Sequence, residues 1–240
     1  SSGCYNAFFG SFAGCANGTS CHVTAIGFQS LRHNANTDNN TAVGACALYT
    51  NTTGSRNTAL GASALKLNST GSCHVAVGHD ALGVNTSGME NTAVGHRSMC
   101  KNTTGSYNVA VGSEALGCNT SGNRNTAIGR TSLLKTTTGS QNSAVGMYAA
   151  LCNQTGSDNV SIGYLANRTA ATVSNNTAVG ACALCNNTTG SNTALGFSAL
   201  LSATTGSKNT ASGYKALTTN TTGECNIGMG FCSAPSISTG

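Results

Sequence analysis

The chain has 240 residues, of which only 7% are charged and 39% are hydrophobic, and its formal net charge is +5. Charge this thinly spread, without a basic cluster, argues against binding of nucleic acid or of anionic membranes. No apolar run approaches the roughly 18 residues of a membrane-spanning helix, so we expect no membrane insertion. The sequence begins without Met or a signal peptide, as we expect of a mature product or an excised segment.

A glycine recurs about every 17 residues, and it closes a short motif that reads Asn-Thr-Ala-Val-Gly or a close variant. The fourteen glycines are Gly10, Gly27, Gly44, Gly61, Gly78, Gly95, Gly112, Gly129, Gly146, Gly163, Gly180, Gly196, Gly213 and Gly230. The spacing breaks once, where one residue is missing after Ser191. We therefore predict that residues 1–240 form a single repeat domain, in which one unit is stacked on itself.

Each of these glycines follows a triplet such as Thr41–Val43, whose β-branched residues favour a short strand. A second glycine follows Asn-Thr-Thr or a variant and indicates a turn. It lies at Gly54, Gly71, Gly88, Gly105, Gly122, Gly139 and Gly156. A unit of 17 residues cannot hold two helices, so the predicted fold is all-β: a parallel β-solenoid, or β-roll, of about fourteen 17-residue coils.

Apolar residues come in adjacent pairs, such as Ala42 with Val43 and Ala64 with Leu65. Neighbouring side chains of a strand point to opposite faces, so one of each pair fills the coil and the other must be covered from outside. We therefore expect a homo-oligomer, most simply three coils about a common axis. The alternative is a monomeric solenoid whose narrow interior requires small residues. The repeat also runs to both ends of the sequence without polar caps, so we expect end-to-end stacking into a filament or further repeats in a longer chain.

An asparagine recurs just before the strand triplet, where stacked side-chain amides can form a ladder. It lies at Asn40, Asn57, Asn91, Asn108, Asn125, Asn142, Asn159, Asn176, Asn192, Asn209 and Asn226. We predict a structural role for this column.

Twelve cysteines are many for a cytosolic protein and typical of the secretory route. Three pairs are disulfide candidates: Cys4 with Cys21, one period apart; Cys100 with Cys118, nearly one period apart; and Cys225 with Cys232, in the last coil. Some cysteines would instead link subunits. The Cys182–Cys185 spacing resembles half a zinc site, but no second half follows, so we expect no metal.

A second asparagine column lies in the turn, and each of its members starts an Asn-x-Ser/Thr sequon. These glycosylation candidates are Asn17, Asn51, Asn68, Asn85, Asn102, Asn119, Asn153, Asn187 and Asn220, with further sequons at Asn39, Asn159, Asn167, Asn175 and Asn186. The alternative is that Asn-Thr-Thr-Gly is simply a favourable turn. Because the cysteines also indicate secretion, we expect the turns to face outward and to carry some N-linked glycans.

The motif from Asn91 to Gly95, with its copies across nearly the whole chain, resembles the head repeats of YadA-like trimeric autotransporter adhesins, whose unit reads S-V-A-I-G-x-x-A. It is also similar to the N-T-A-x-G-x-x-A-L-x-x-N-T-T-G repeats of phage and algal-virus fibre proteins. The resemblance implies a left-handed, commonly trimeric β-roll used as an extracellular spike or fibre. The longer repeat, the cysteines and the sequons favour a viral or eukaryotic fibre over a bacterial adhesin.

The six acidic residues are scattered over different repeat positions, and the histidines join no nucleophile or acid pattern, so we expect neither catalysis nor a cofactor. The leading hypothesis is a structural subunit of an extracellular fibre on a cell or virion surface. The first alternative is an adhesin segment that binds a cell-surface receptor, with contacts at Phe8, Phe9, Phe28, Tyr164, Phe197 and Tyr214.

The second alternative is an ice-binding solenoid. A threonine column, Thr24, Thr41, Thr58, Thr92, Thr126, Thr177, Thr193 and Thr210, favours it. The residue two positions further on is nearly always Val, Ile or Leu, which argues against it.

Overall fold

The computed structural model describes residues 5–35 and 37–234, and over these residues it contains strands and turns but no helix. The chain forms two compact units, one ending at Asn123 and the other beginning at Arg124. Each unit contains seven three-residue strands that run parallel and follow one another in chain order. The predicted all-β parallel β-solenoid is thereby confirmed. Among the described residues, no helix is long and apolar enough to cross a membrane.

The strands of the first unit are β1 (Ala7–Phe9), β2 (Thr24–Ile26), β3 (Thr41–Val43), β4 (Thr58–Leu60), β5 (Val75–Val77), β6 (Thr92–Val94) and β7 (Val109–Val111). Each pairs in parallel with the next, so residues 17 apart lie side by side: Thr41 beside Thr58, Ala42 beside Ala59. Every coil therefore presents the same side chains at the same places.

The strands of the second unit are β8 (Thr126–Ile128), β9 (Ser143–Val145), β10 (Val160–Ile162), β11 (Thr177–Val179), β12 (Thr193–Leu195), β13 (Thr210–Ser212) and β14 (Ile227–Met229). The shortened repeat keeps this register, since Thr177 pairs with Thr193 although they are 16 residues apart. The missing residue is absorbed in the turn between those strands.

The interior is built from columns of small and branched apolar side chains. The middle residue of nearly every strand is a fully buried alanine, such as Ala42 or Ala178. A leucine four residues after the glycine fills the rest of the interior. This leucine column comprises Leu31, Leu48, Leu65, Leu82, Met99 and Leu116 in the first unit, and Leu133, Leu184, Leu200 and Leu217 in the second, all fully buried.

Left-handed backbone conformations turn the chain at the corners of each coil. Arg56, Ser63 and Leu65 have φ of 58°, 59° and 50°, and equivalent residues repeat in the other coils. Such values cost an L-residue roughly 1–2 kcal/mol, so the coil-to-coil hydrogen bonds must hold them in place. One of these bonds runs from the Leu65 amide to the Ala81 carbonyl oxygen, at 2.9 Å.

The glycine after each strand is required by geometry. Gly61 has φ of 139°, and a Cβ added there would lie 2.5 Å from the carbonyl oxygen of Gly78 in the next coil. Any side chain would therefore push successive coils apart, which explains why glycine marks the repeat.

Candidate functional site

The outward surface of the strands is uncharged. We call the first and third residues of the strands, taken within each unit, the strand face. None of the strand residues is charged, and the third residue is a partly exposed Val, Ile or Leu in most coils. Leu60 is 48% exposed in the first unit, and Leu195 is 40% exposed in the second. A monomer rarely leaves such a regular apolar surface in water, so the strand face is the strongest candidate for a binding surface.

The first residues of the strands form the predicted threonine column. Thr41 and Thr58 are paired neighbours on adjacent strands. Val75 and Val109 interrupt the column in the first unit, at β5 and β7. The strand face is therefore a mixed threonine and aliphatic surface rather than a pure hydroxyl array.

The sequon asparagines of the turns lie inside the coil, and the expectation that they face outward is wrong. Eight of them are buried: Asn51, Asn68, Asn85, Asn102, Asn119, Asn153, Asn187 and Asn220; Asn17 is half-buried. The Nδ2 of Asn68 donates to Asn51 Oδ1, the Nδ2 of Asn85 to Asn68 Oδ1, and so on along the first unit, at 2.7–3.0 Å.

The same Nδ2 groups also donate to the turn glycine, as in the 2.8 Å bond from Asn68 to the Gly71 carbonyl oxygen. In the folded chain a glycan would have to replace these hydrogen bonds. The carbonyl oxygen of the turn glycine points into the coil, so it must accept its hydrogen bond from an interior side chain.

Three of the additional sequons do have exposed side chains, namely those of Asn39, Asn175 and Asn186. The glycosylation prediction therefore applies most directly to these positions.

The asparagines before the strands form a second interior column with a different pattern. Their Oδ1 atoms accept the backbone N–H of the equivalent residue one coil on, as from Asn57 to Asn40 at 3.0 Å. Their Nδ2 groups donate to the turn glycine carbonyl, as from Asn57 to Gly71 at 3.0 Å. In the column before the strands, the predicted ladder thus consists mainly of hydrogen bonds between side chains and backbone. Hydrogen bonds from one side-chain amide to the next form the ladder in the turn column.

Sequence reasoning did not single out His74, although it stands where other coils have this asparagine. The side chain is 1% exposed; its Nδ1 accepts the Asn91 N–H at 3.1 Å, and its Nε2 donates to the Gly88 carbonyl oxygen at 2.8 Å. Burial lowers the pKa of His74 to about 4, against a smaller opposing effect of these two backbone hydrogen bonds. The repeat phase was the signal that could have predicted a neutral interior imidazole.

The candidate disulfide cysteines are spread over several columns. Cys4 lies outside the described residues. Cys100 and Cys118 are not bonded to each other: Cys100 is buried with its Sγ 3.4 Å from the Gly117 carbonyl oxygen, because Gly117, not Cys118, occupies the equivalent position in the next coil. Burial raises the pKa of the Cys100 thiol.

The remaining candidates lie nearer the surface. Cys21 and Cys232 are half-buried, whereas Cys225 is exposed. Cys225 and Cys232 are likewise not bonded to each other in the structure, and the pairing of Cys21 with Cys4 stays a prediction.

Charged and imidazole groups are sparse on the surface. Among the described residues, one ion pair is found, from Arg97 to Glu114 at 3.6 Å, and no group of three or more His, Cys, Asp or Glu is placed to hold a metal ion. His79 and His96 are exposed and stack with their ring centroids 5.6 Å apart.

Scans of family models and searches of curated proteins and of solved structures found no match to the chain. The fold and the strand face are therefore the grounds on which a function is assigned.

Proposed function

We propose that the chain is a structural subunit of an extracellular fibre or spike, and that it assembles side by side with copies of itself through the strand face. The observation that carries this proposal is the uncharged strand face, on which Ile26, Leu60 and Val111 are 36–48% exposed in the first unit. Ile128, Ile162 and Leu195 repeat the pattern in the second unit, each 40% exposed.

A second copy is the partner that fits this face best. Its apolar side chains recur at the spacing of the coils, and another copy of this chain has the same spacing. Burial of apolar surface stabilises an interface by roughly 25 cal/mol per Å², so a contact repeated at every coil grows with the number of coils. Three copies about one axis is the arrangement that the resemblance to β-roll fibres favours, and a closed ring covers every face.

Two features support an extracellular setting. Twelve cysteines are typical of proteins that pass through an oxidising compartment. Asn39, Asn175 and Asn186 offer exposed sequons to a glycosylation machinery. In that setting the repetitive strand face of each unit serves as a scaffold or spacer.

The test is the mass of the assembly in solution, measured by analytical ultracentrifugation over a range of concentrations. We expect the wild-type chain to sediment as a discrete homo-oligomer. The double variant Leu60→Lys, Val111→Lys should shift the association constant down by about tenfold or more, because each lysine would have to leave water in the interface.

The matched control is the double variant Thr53→Lys, Thr104→Lys, which adds the same two charges in exposed turns away from the strand face. It should assemble like the wild type. A wild-type chain that remains monomeric at the highest concentration, or a double variant that assembles unchanged, would overturn the proposal.

Ice binding is a second candidate, favoured by the outward threonine column of regularly paired strands. It requires the strand face to be open to solvent in the working state, whereas self-assembly covers it. Thermal hysteresis of freezing solutions by a monomeric chain would support ice binding, and its absence would end this candidate.

A further inference from the structure

The coil that contains Asn167, in the second unit, departs from the repeat both in its interior column and in its turn. Asn167 occupies the leucine column, fully buried, and neither its Oδ1 nor its Nδ2 has a hydrogen-bond partner. In the coil before it, the same column holds Ala150 instead of leucine. The turn that follows Asn167 reads Ala170 to Val173 where other coils read Asn-Thr-Thr-Gly. Departures from a strict repeat are expected where a site, rather than packing, selects the residues.

An open groove of about 280 Å³ lies on the outside of these same two coils. It is lined by Tyr148, Leu151, Tyr164, Leu165 and Arg168. The two tyrosine rings lie edge to face, with centroids 6.2 Å apart and an angle of 61° between their planes. This volume is at the lower end of small-ligand sites, which are typically about 300–1,000 Å³, so the groove holds one ring-sized group.

Arg168 places a positive charge in the groove, and none of the other lining residues carries a carboxylate. Arg168 is exposed, and the ion pair found in the described part of the chain joins Arg97 and Glu114 in the other unit. The polar neighbour of Arg168 is the thiol of Cys185, which is hydrogen bonded to the guanidinium; burial raises the pKa of that thiol, and Arg168 opposes this effect.

Another arginine of the chain occupies this repeat position and makes different contacts. Arg32 stands at the same place in its coil, and its guanidinium lies over the Phe12 and Tyr49 rings, 5.3 Å and 5.9 Å from their centroids. Arg168 instead lines the groove. A guanidinium in this position favours a planar anion that accepts two hydrogen bonds, as a carboxylate does.

We propose that this groove binds an acidic sugar, namely a single uronic acid unit of an extracellular polysaccharide, with its carboxylate on Arg168 and its ring against the tyrosines. The C–H face of a sugar ring matches an aromatic or leucine surface, while its hydroxyl groups match the two tyrosine hydroxyls. The carboxylate supplies the charge that the groove lacks. None of the residues that line the groove is a strand residue, so the proposed site is distinct from the strand face.

The probe is a tetrasaccharide of galacturonic acid, titrated calorimetrically into the full chain at low ionic strength, with its methyl ester as the neutral comparison. We expect the acid to bind at least tenfold more tightly than the ester. Arg168→Gln should weaken binding of the acid about tenfold or more without changing that of the ester. Tyr164→Ala should weaken binding of both, because it removes the ring contact.

The control is Arg124→Gln, which removes the same charge from the same unit outside the groove and should bind like the wild type. Both Arg168 and Tyr164 are exposed, and circular dichroism of each variant establishes that it is folded. Equal binding of acid and ester, unchanged binding by Arg168→Gln, or tighter binding of an acidic peptide than of the sugar would each overturn the proposal.

Discussion

Asparagine side chains make most of the side-chain hydrogen bonds inside the coil, because one amide group both donates and accepts hydrogen bonds. Asn68 donates to Asn51 Oδ1 and to the Gly71 carbonyl oxygen, while its own Oδ1 accepts from Asn85. A buried amide without hydrogen-bond partners is costly, so these bonds stabilise the column. Interior hydrogen bonding therefore accounts for the asparagine of each of these sequons. The residue that completes the sequon belongs to the same turn.

His74 allows this interior column to be tested by pH. The folded chain holds the His74 pKa at about 4, below its ordinary value of 6.5, so folding favours the neutral ring. Its contribution to stability is complete above pH 6.5 and is lost as the pH falls towards about 4. His74→Asn restores the residue of the other coils and removes this dependence. The wild type should lose about 3 kcal/mol more than the variant between pH 7 and pH 4, measured by urea unfolding at each pH.

Equal pH dependence of the two proteins would show that His74 is solvated in the folded chain. Exposed His79→Asn is the control for the His-to-Asn substitution itself.

At the scale of the element, a three-residue strand is too short to be stable alone, and its hydrogen bonds come from the coils on either side. The corners are bonded in the same way, as in the 2.9 Å bond from the Cys46 amide to the Phe28 carbonyl oxygen. Each coil thus depends on a constant distance to its neighbours. The glycine after the strand maintains that distance.

Gly61→Ala should therefore destabilise the fold strongly. The new Cβ would lie 2.5 Å from the Gly78 carbonyl oxygen, and φ of 139° is unfavourable for alanine. We expect a loss of about 3 kcal/mol or more in the free energy of unfolding, since strain and overpacking each cost roughly 1–3 kcal/mol. Thermal unfolding followed by circular dichroism measures it.

Gly83→Ala is the matched control for this change. Its nearest contacts are with the Asp80 side chain and φ is not positive, so the side chain can move aside. A loss as large as that of Gly61→Ala would contradict the explanation.

At the scale of the whole molecule, the charged residues lie off the strands and the strand face is neutral. The proposed assembly therefore rests on burial of apolar surface rather than on ion pairs. A charged interface weakens with salt, because the screening length falls from about 10 Å at 0.1 M to about 3 Å at 1 M.

We accordingly expect the oligomer to persist when sodium chloride is raised from about 0.1 M to about 1 M, and sodium sulfate to strengthen it. Sedimentation equilibrium across the two salts measures this. Dissociation at high sodium chloride would show that charges outside the strand face hold the copies together.

The sequence by itself determined the period, the place of every strand and the parallel stacking, because the strand triplet and the glycine after it recur at the same place in every repeat. Only the tertiary structure decided which side chains enter the coil. Arg56, Leu65 and equivalent residues have left-handed backbone conformations that turn the chain. Composition does not specify these turns. For this reason Asn51 and Asn68 proved to be interior although their sequons suggested a surface.

The groove beside Arg168 also depended on the tertiary structure. Its residues come from two coils and are brought together by stacking. Tyr148 and Tyr164 are 16 residues apart, one fewer than the repeat, so they do not occupy equivalent positions. The repeat pattern shows where this coil is irregular, but the space that the irregularity leaves is a property of the packed coils.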